Sequence, residues 1–154
     1  MKRIGLWVVG LGAVTVIGLL AAPSSADEQP KVCGLRTLNG QYLDAGNGML
    51  YPPAFGVKAP SVSAAAGYSI YNGDGTGMDY VTFTVDGVNA NVTSPAQTTY
   101  TLNADCTGTK TVLPYGPHFN IFVAIDGSGL TAVATDTGFA VSESDKRVSL
   151  LEER

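Results

Sequence analysis

Beyond residue 35, apolar and polar positions alternate in short runs separated by glycine and Asn/Asp turns. The clearest run is His118 to Ile125. Phe119, Ile121, Val123 and Ile125 share one face, and His118, Asn120, Phe122 and Ala124 share the other. In Met78 to Val88, Tyr80, Thr82 and Thr84 oppose Val81, Phe83 and Val85. A period of two is the mark of a strand with one buried face. After the first 26 residues no helix-length stretch carries an i, i+3, i+4 apolar pattern. The chain therefore reads as all-β.

The alternation predicts strands at 36–43, 64–71, 78–88, 92–102 (interrupted at Pro95), 107–113, 118–125, 130–136 and 139–144. The segment 47–61 holds Pro52, Pro53 and Pro60, which cannot donate to a ladder. It reads as a loop with a short strand or helical turn around Phe55 to Val57. The run Asn72 to Gly77, Asp86-Gly87, Asn103-Ala104-Asp105 and Asp126 to Gly129 are turn signals. Sequential antiparallel neighbours are the default connection. A meander of about eight strands rids itself of exposed edges by closing, and eight strands enclose room for side chains or one small ligand. A single up-and-down antiparallel β-barrel is the expected fold. A β-sandwich is the alternative, but it needs longer crossovers, and only the region 44–63 supplies one clearly.

The first 26 residues stand apart. Lys2 and Arg3 precede an uncharged apolar run, and Pro23-Ser24-Ser25-Ala26 offers small residues before a cleavage point. This is the pattern of a secretory signal peptide, with residues 27–154 as the single mature domain. Contact with a membrane is expected only through that segment if it is left uncleaved. The net charge of the whole chain is −4. Without Lys2 and Arg3, 7 of the 9 basic residues face 13 acidic ones, a net −6. No basic stripe exists to neutralise phosphates, so a nucleic-acid partner is not expected. Cys33 and Cys106 are the only two cysteines, and both follow the leader. An oxidising destination allows one bridge between them, and two cysteines permit only one pairing within a chain. The bridge would tie the N-terminus to a rim of the barrel, because Cys106 begins a strand and Cys33 lies just before one.

At "NGQYLDAG", "YTLNADCTGT" and "HFNIFVAIDGSGLTAVATDTG" the chain resembles a family of small exported bacterial proteins. The residues are Cys33, Leu38, Gly40, Tyr42, the run Tyr100 to Thr109, Asp126-Gly127 and Thr135 to Gly138. The family's barrel is similar to the calycin and allene-oxide-cyclase-like barrels, so the resemblance implies a calycin-like fold. It implies no catalytic residue that could be carried over.

Candidate chemistry is thin. His118 is the only histidine. There is no G-x-S-x-G elbow and no zinc-binding histidine pair, so neither a serine triad nor a metal is expected. No cofactor fingerprint is present, and no cofactor is expected. "NGDGTGMD" lacks the acidic spacing of a calcium loop and reads as a hairpin turn. Asn91-Val92-Thr93 is a formal glycosylation sequon, expected to be unmodified in a bacterial export product.

The remaining signal is aromatic. Tyr80 shares a face with threonines and His118 with Asn120. If those faces line the lumen, Tyr80, Tyr100, His118 and Asn120 make an amphipathic wall for a lipophilic ligand with one polar function. Otherwise the tyrosines face solvent or fill a dry core. Three functions follow. The first is non-catalytic binding of a small lipophilic molecule in the lumen. The second is a cyclase or isomerase of the allene-oxide-cyclase-like type, acting mainly by orientation, with His118, Tyr80 or Glu143 supplying a proton or hydrogen bond. The third is a structural or cell-surface protein whose barrel is filled by its own side chains. A roomy lumen rejects the third, and an ionisable group poised by burial inside it raises the second.

Overall fold

The computed structural model describes residues 32–90, 94–114 and 116–150. The segment expected to be a leader, residues 1–26, and the sequon lie outside these residues. The strands are β1 (Asn39–Leu50), β2 (Ser61–Asn72), β3 (Thr76–Val85), β4 (Val88–Asn89), β5 (Ala96–Leu102), β6 (Thr107–Val112), β7 (His118–Val123), β8 (Gly129–Ala134) and β9 (Phe139–Ser149). Each pairs antiparallel with its neighbour in the order β2-β1-β9-β8-β7-β6-β5-β3, and β2 pairs with β3 to close the ring. The protein is an eight-stranded up-and-down barrel. The small β4 lies outside the ring, folding back on β3 through the Asp86-Gly87 turn.

Two strands run well past their expected limits. β1 continues through Gly46, Asn47 and Gly48 to Leu50, into the segment expected to be a loop. Those residues have weak strand propensity, but they are hydrogen-bonded on both sides, to β2 and to β9. Tertiary pairing overrides local preference here. β9 continues from Ser144 to Ser149 because its inward positions change from apolar to charged while its ladder goes on. The loop from Tyr51 to Pro60 carries a single 3-10 turn, Ala54–Gly56, close to the helical turn expected there. β5 starts only after Pro95.

One end of the barrel is closed by its own side chains. Leu38, Tyr42, Tyr71, Tyr100, Ile121 and Leu130 are buried there. The Tyr71 ring stands edge-on between Tyr42 at 5.2 Å and Tyr100 at 5.4 Å. Each of these three tyrosine hydroxyls has an acceptor, as burial demands. Tyr42 donates to the Gly127 carbonyl at 2.7 Å, Tyr100 to that of Leu38 at 2.9 Å, and Tyr71 to Asp145 at 2.9 Å. The Cys33–Cys106 disulfide clamps the N-terminal segment to this end and closes a separation of 73 residues. Its entropic effect on the unfolded chain stabilises by about 4 kcal/mol.

Candidate functional site

The other half of the lumen is hollow because of what points into it. Midway along β1 and β2 the inward positions are Gly46, Gly48, Ser63, Ala65 and Gly67. Residues this small leave the middle of the barrel unfilled. Gly48 and Gly67 also let neighbouring strands approach closely. A Cβ at Gly67 would lie 2.0 Å from the Tyr80 carbonyl oxygen, and one at Gly48 would lie 2.1 Å from that of Ala140. The cavity is 470 Å³, within the usual span of small-molecule sites. Its walls are Val81, Phe83, Val112, Phe119, Phe139 and Val141. Phe55 stands at the mouth, 48% exposed, with its ring against Phe139 at 5.1 Å and Phe83 at 5.4 Å. Its φ of 45° is the left-handed region, a strained conformation for a bulky residue and one that clusters at ligand sites.

The cavity has an ionic floor. Asp44 of β1, Asp79 of β3 and Glu143 of β9 line it, with Lys110 of β6 and Asp145 of β9 beneath. Lys110 is 1% exposed, and its Nζ lies 3.1 Å from Asp79 Oδ2 and 3.2 Å from Glu143 Oε2. Its ammonium also sits 5.5 Å from the centre of the Phe119 ring. Burial works against the charge, but the attraction of the surrounding carboxylates, Glu143, Asp79 and Asp145, outweighs it and holds the ammonium protonated, well above its ordinary range. Asp44 and Asp145 are cross-strand partners. Asp44 accepts a 3.5 Å hydrogen bond from Ser69, and Asp145 accepts that of Tyr71.

Four carboxylates thus share one ammonium. Burial, with the Asp145 and Glu143 charges added, pushes the Asp44 carboxyl up to about 7. Burial raises Asp145 to about 6 against the pull of Lys110. Oδ1 of Asp44, of Asp79 and of Asp145 has no protein partner, nor does Ser63 Oγ at the cavity wall. Carboxylate oxygens of Asp44, Glu143 and Asp145 all lie within 4.8 Å of one another, close enough to hold a single cation. A divalent ion there would meet repulsion from the resident ammonium of Lys110.

The sequence-predicted wall is a different set. Of its four residues only Tyr100 points inward, and it belongs to the closed end, below the cavity. Tyr80 lies on the outer face, stacked on Tyr68 at 4.6 Å. His118 is exposed on the rim, its Nδ1 3.0 Å from Asp136 Oδ1. Asn120 faces solvent. The expectation that these faces line the lumen is corrected. The apolar partners in the same strands, Val81, Phe83, Phe119 and Ile121, take the inside, because burial of larger apolar area wins the choice of face. Glu143 does line the lumen. Asp44, Asp79, Lys110 and Asp145 are not among the sequence-predicted residues. A signal for one of them existed, because Asp79 is in phase with Val81, Phe83 and Val85, a charge on a face otherwise apolar.

Fold and site together define a one-ended barrel with an apolar mouth and a charged floor. Comparison with protein-family models, with curated proteins and with solved structures gives no match.

Proposed function

We propose that the chain is an exported, calycin-like barrel protein that holds a small lipophilic molecule in the open half of its lumen without transforming it. The observation that carries this is the 470 Å³ cavity walled by phenylalanine and valine. An unfilled apolar space forfeits contacts on every side, so a cavity of this size in a close-packed protein favours an occupant. The same volume speaks against a barrel filled by its own side chains. The Cys33–Cys106 bridge supports a secreted or periplasmic setting. Among the described residues no helix is long and apolar enough to cross a membrane.

Titration calorimetry with decan-1-ol tests the reading. One molecule is expected to bind per barrel. Ala65→Phe, which fills the cavity from β2, is expected to abolish binding while circular dichroism stays unchanged. Failure of the wild-type protein to bind the alcohol sinks the proposal. Native mass spectrometry of protein from its natural culture fluid would show the ligand as an added mass.

A second reading, the barrel cyclase or isomerase, is favoured by one specific feature. Asp44 is a carboxyl in the lumen wall poised near neutrality, with Glu143 beside it. Such a group can give or take a proton at working pH. The binding reading comes first because the same shift arises wherever carboxylates outnumber their cations. Incubating the recovered ligand with fresh protein separates the two, with an isomer in the chromatogram selecting the enzyme.

A further inference from the structure

We infer that the molecule the lumen takes is a lipophilic amine, its alkyl or aryl body against the phenylalanine walls and its ammonium among Asp44, Asp79 and Glu143. The inference rests on the lumen being a ligand site and adds the charge of the ligand's polar end.

Charge bookkeeping on the floor comes first. Among the described residues, Asp44, Asp79, Glu143 and Asp145 face one cation, Lys110, whose Nζ is already committed to Asp79 and Glu143. Of the two basic residues that follow Asp145 on β9, Lys146 is exposed on the outer face, and Arg147 donates to the Asp126 carbonyl at the closed end, so neither serves the floor. Buried carboxylates without a counter-ion are costly, and a site that carries them gains from a ligand that supplies one. An anionic head group would meet the reverse, repulsion from every carboxylate on the floor.

The orphaned acceptors come second. Asp44 is 5% exposed, Asp79 6% and Ser63 6%; each lines the cavity, and each has a side-chain oxygen with no protein partner. An ammonium brings up to three N–H donors and no acceptor. That complements a set of orphaned carboxylate oxygens better than a carboxylate or carbonyl ligand could.

Protonation supports the same ligand. The groups around Asp44 are Ser69 and Tyr71 of β2, Asp79 of β3, Lys110 of β6, and Glu143 and Asp145 of β9. Among them the empty floor keeps a proton on Asp44 up to about pH 7. An incoming ammonium replaces that proton, so amine affinity rises as pH rises through neutrality.

The test compares three ten-carbon probes by titration calorimetry below their micellar concentrations: decylamine, decan-1-ol and decanoate. Decylamine is expected to bind about tenfold tighter than the alcohol at pH 8, as hydrogen bonds to charged groups allow, and decanoate weakest. The amine preference is expected to shrink at pH 5. Asp44→Asn and Glu143→Gln are each expected to cut the amine-to-alcohol preference. If the alcohol binds but the amine is no tighter, the inference is overturned and the lumen reading stands. If none of the three binds, the lumen reading falls first. Should Asp44→Asn fail to fold, the wild-type amine-to-alcohol ratio and its pH trend decide the matter alone.

Discussion

The two ends of this barrel solve the same packing problem in opposite ways. At the closed end three tyrosines interlock edge to face, every hydroxyl is paired, and a disulfide ties the loose N-terminus over them. In the open half the middle inward residues of two strands are glycine, alanine and serine, and the space they leave is walled by phenylalanine and valine but not filled. The ionic floor lies at the boundary. Its Tyr71–Asp145 bond faces the plug, and its Asp44 and Asp79 oxygens face the cavity. Stability is concentrated in the first half and binding capacity in the second. A lumen packed throughout like the closed end would be more stable and could hold nothing.

Substitutions can break or sharpen that contrast. The largest loss is expected at the plug and the floor. Tyr100→Ala removes a buried ring and leaves a void, which should cost about 3–5 kcal/mol in urea unfolding. Lys110→Met leaves four carboxylates without a cation and should cost about 3–5 kcal/mol at pH 8, with a smaller loss at pH 5, where protons replace the lysine. An equal loss at both pH values would mean that Lys110 is not their counter-ion. Next comes the disulfide. Cys33→Ala with Cys106→Ala should lower stability by about 4 kcal/mol, and the decan-1-ol affinity of the protein that remains folded should hold, because the bridge lies at the far end.

The third expectation concerns pH. Asp44 and Asp145 bind protons more tightly in the folded than in the unfolded chain, with folded values of about 7 and about 6 against 3.8. Between these values the folded state carries more protons, so its stability falls as pH rises from about 4 through 7. Asp44→Asn should flatten that slope in thermal melts across the range. A wild-type stability that climbs from pH 4 to 7 would contradict the floor's excess of negative charge.

The smallest effects are expected at the mouth and on the outside. Phe83→Ala removes a half-buried ring and should cost only about 1 kcal/mol, yet it should weaken decan-1-ol binding measurably. A loss as large as that of Tyr100→Ala would erase the distinction between the two halves. Tyr80→Ala and His118→Ala lie outside the lumen. Each should change stability by less than about 1 kcal/mol and leave binding unchanged, since exposed stacking and exposed ion pairs contribute little.

The barrel is legible in the residues; its floor is not. His118 to Val123 is legible because every inward position, Phe119, Ile121 and Val123, is large and apolar, and Asp86-Gly87 because aspartate and glycine suit the two left-handed positions of a tight hairpin turn. The end of β1 was not legible, because Gly46 and Gly48 are strand-like only when two neighbours hold them. Nor was the end of β9, whose inward residues Glu143 and Asp145 look like solvent-facing ones to any rule that sorts by polarity. Tyr80 and His118 drew attention as rare, reactive side chains. Their rarity says nothing about the face on which they stand.

What the sequence determined by itself is the period of two, the turns, and the pair of cysteines, all of which depend on residues close along the chain or on a count. Tertiary structure alone decided which face is inside, that the lumen is solid at one end and hollow at the other, and that Asp44, Asp79, Lys110, Glu143 and Asp145 meet. Those five come from four strands brought together only when the ring closes. The reason is physical: a charge is tolerated in a buried position only by virtue of its partners, and partners distant in sequence leave no local trace.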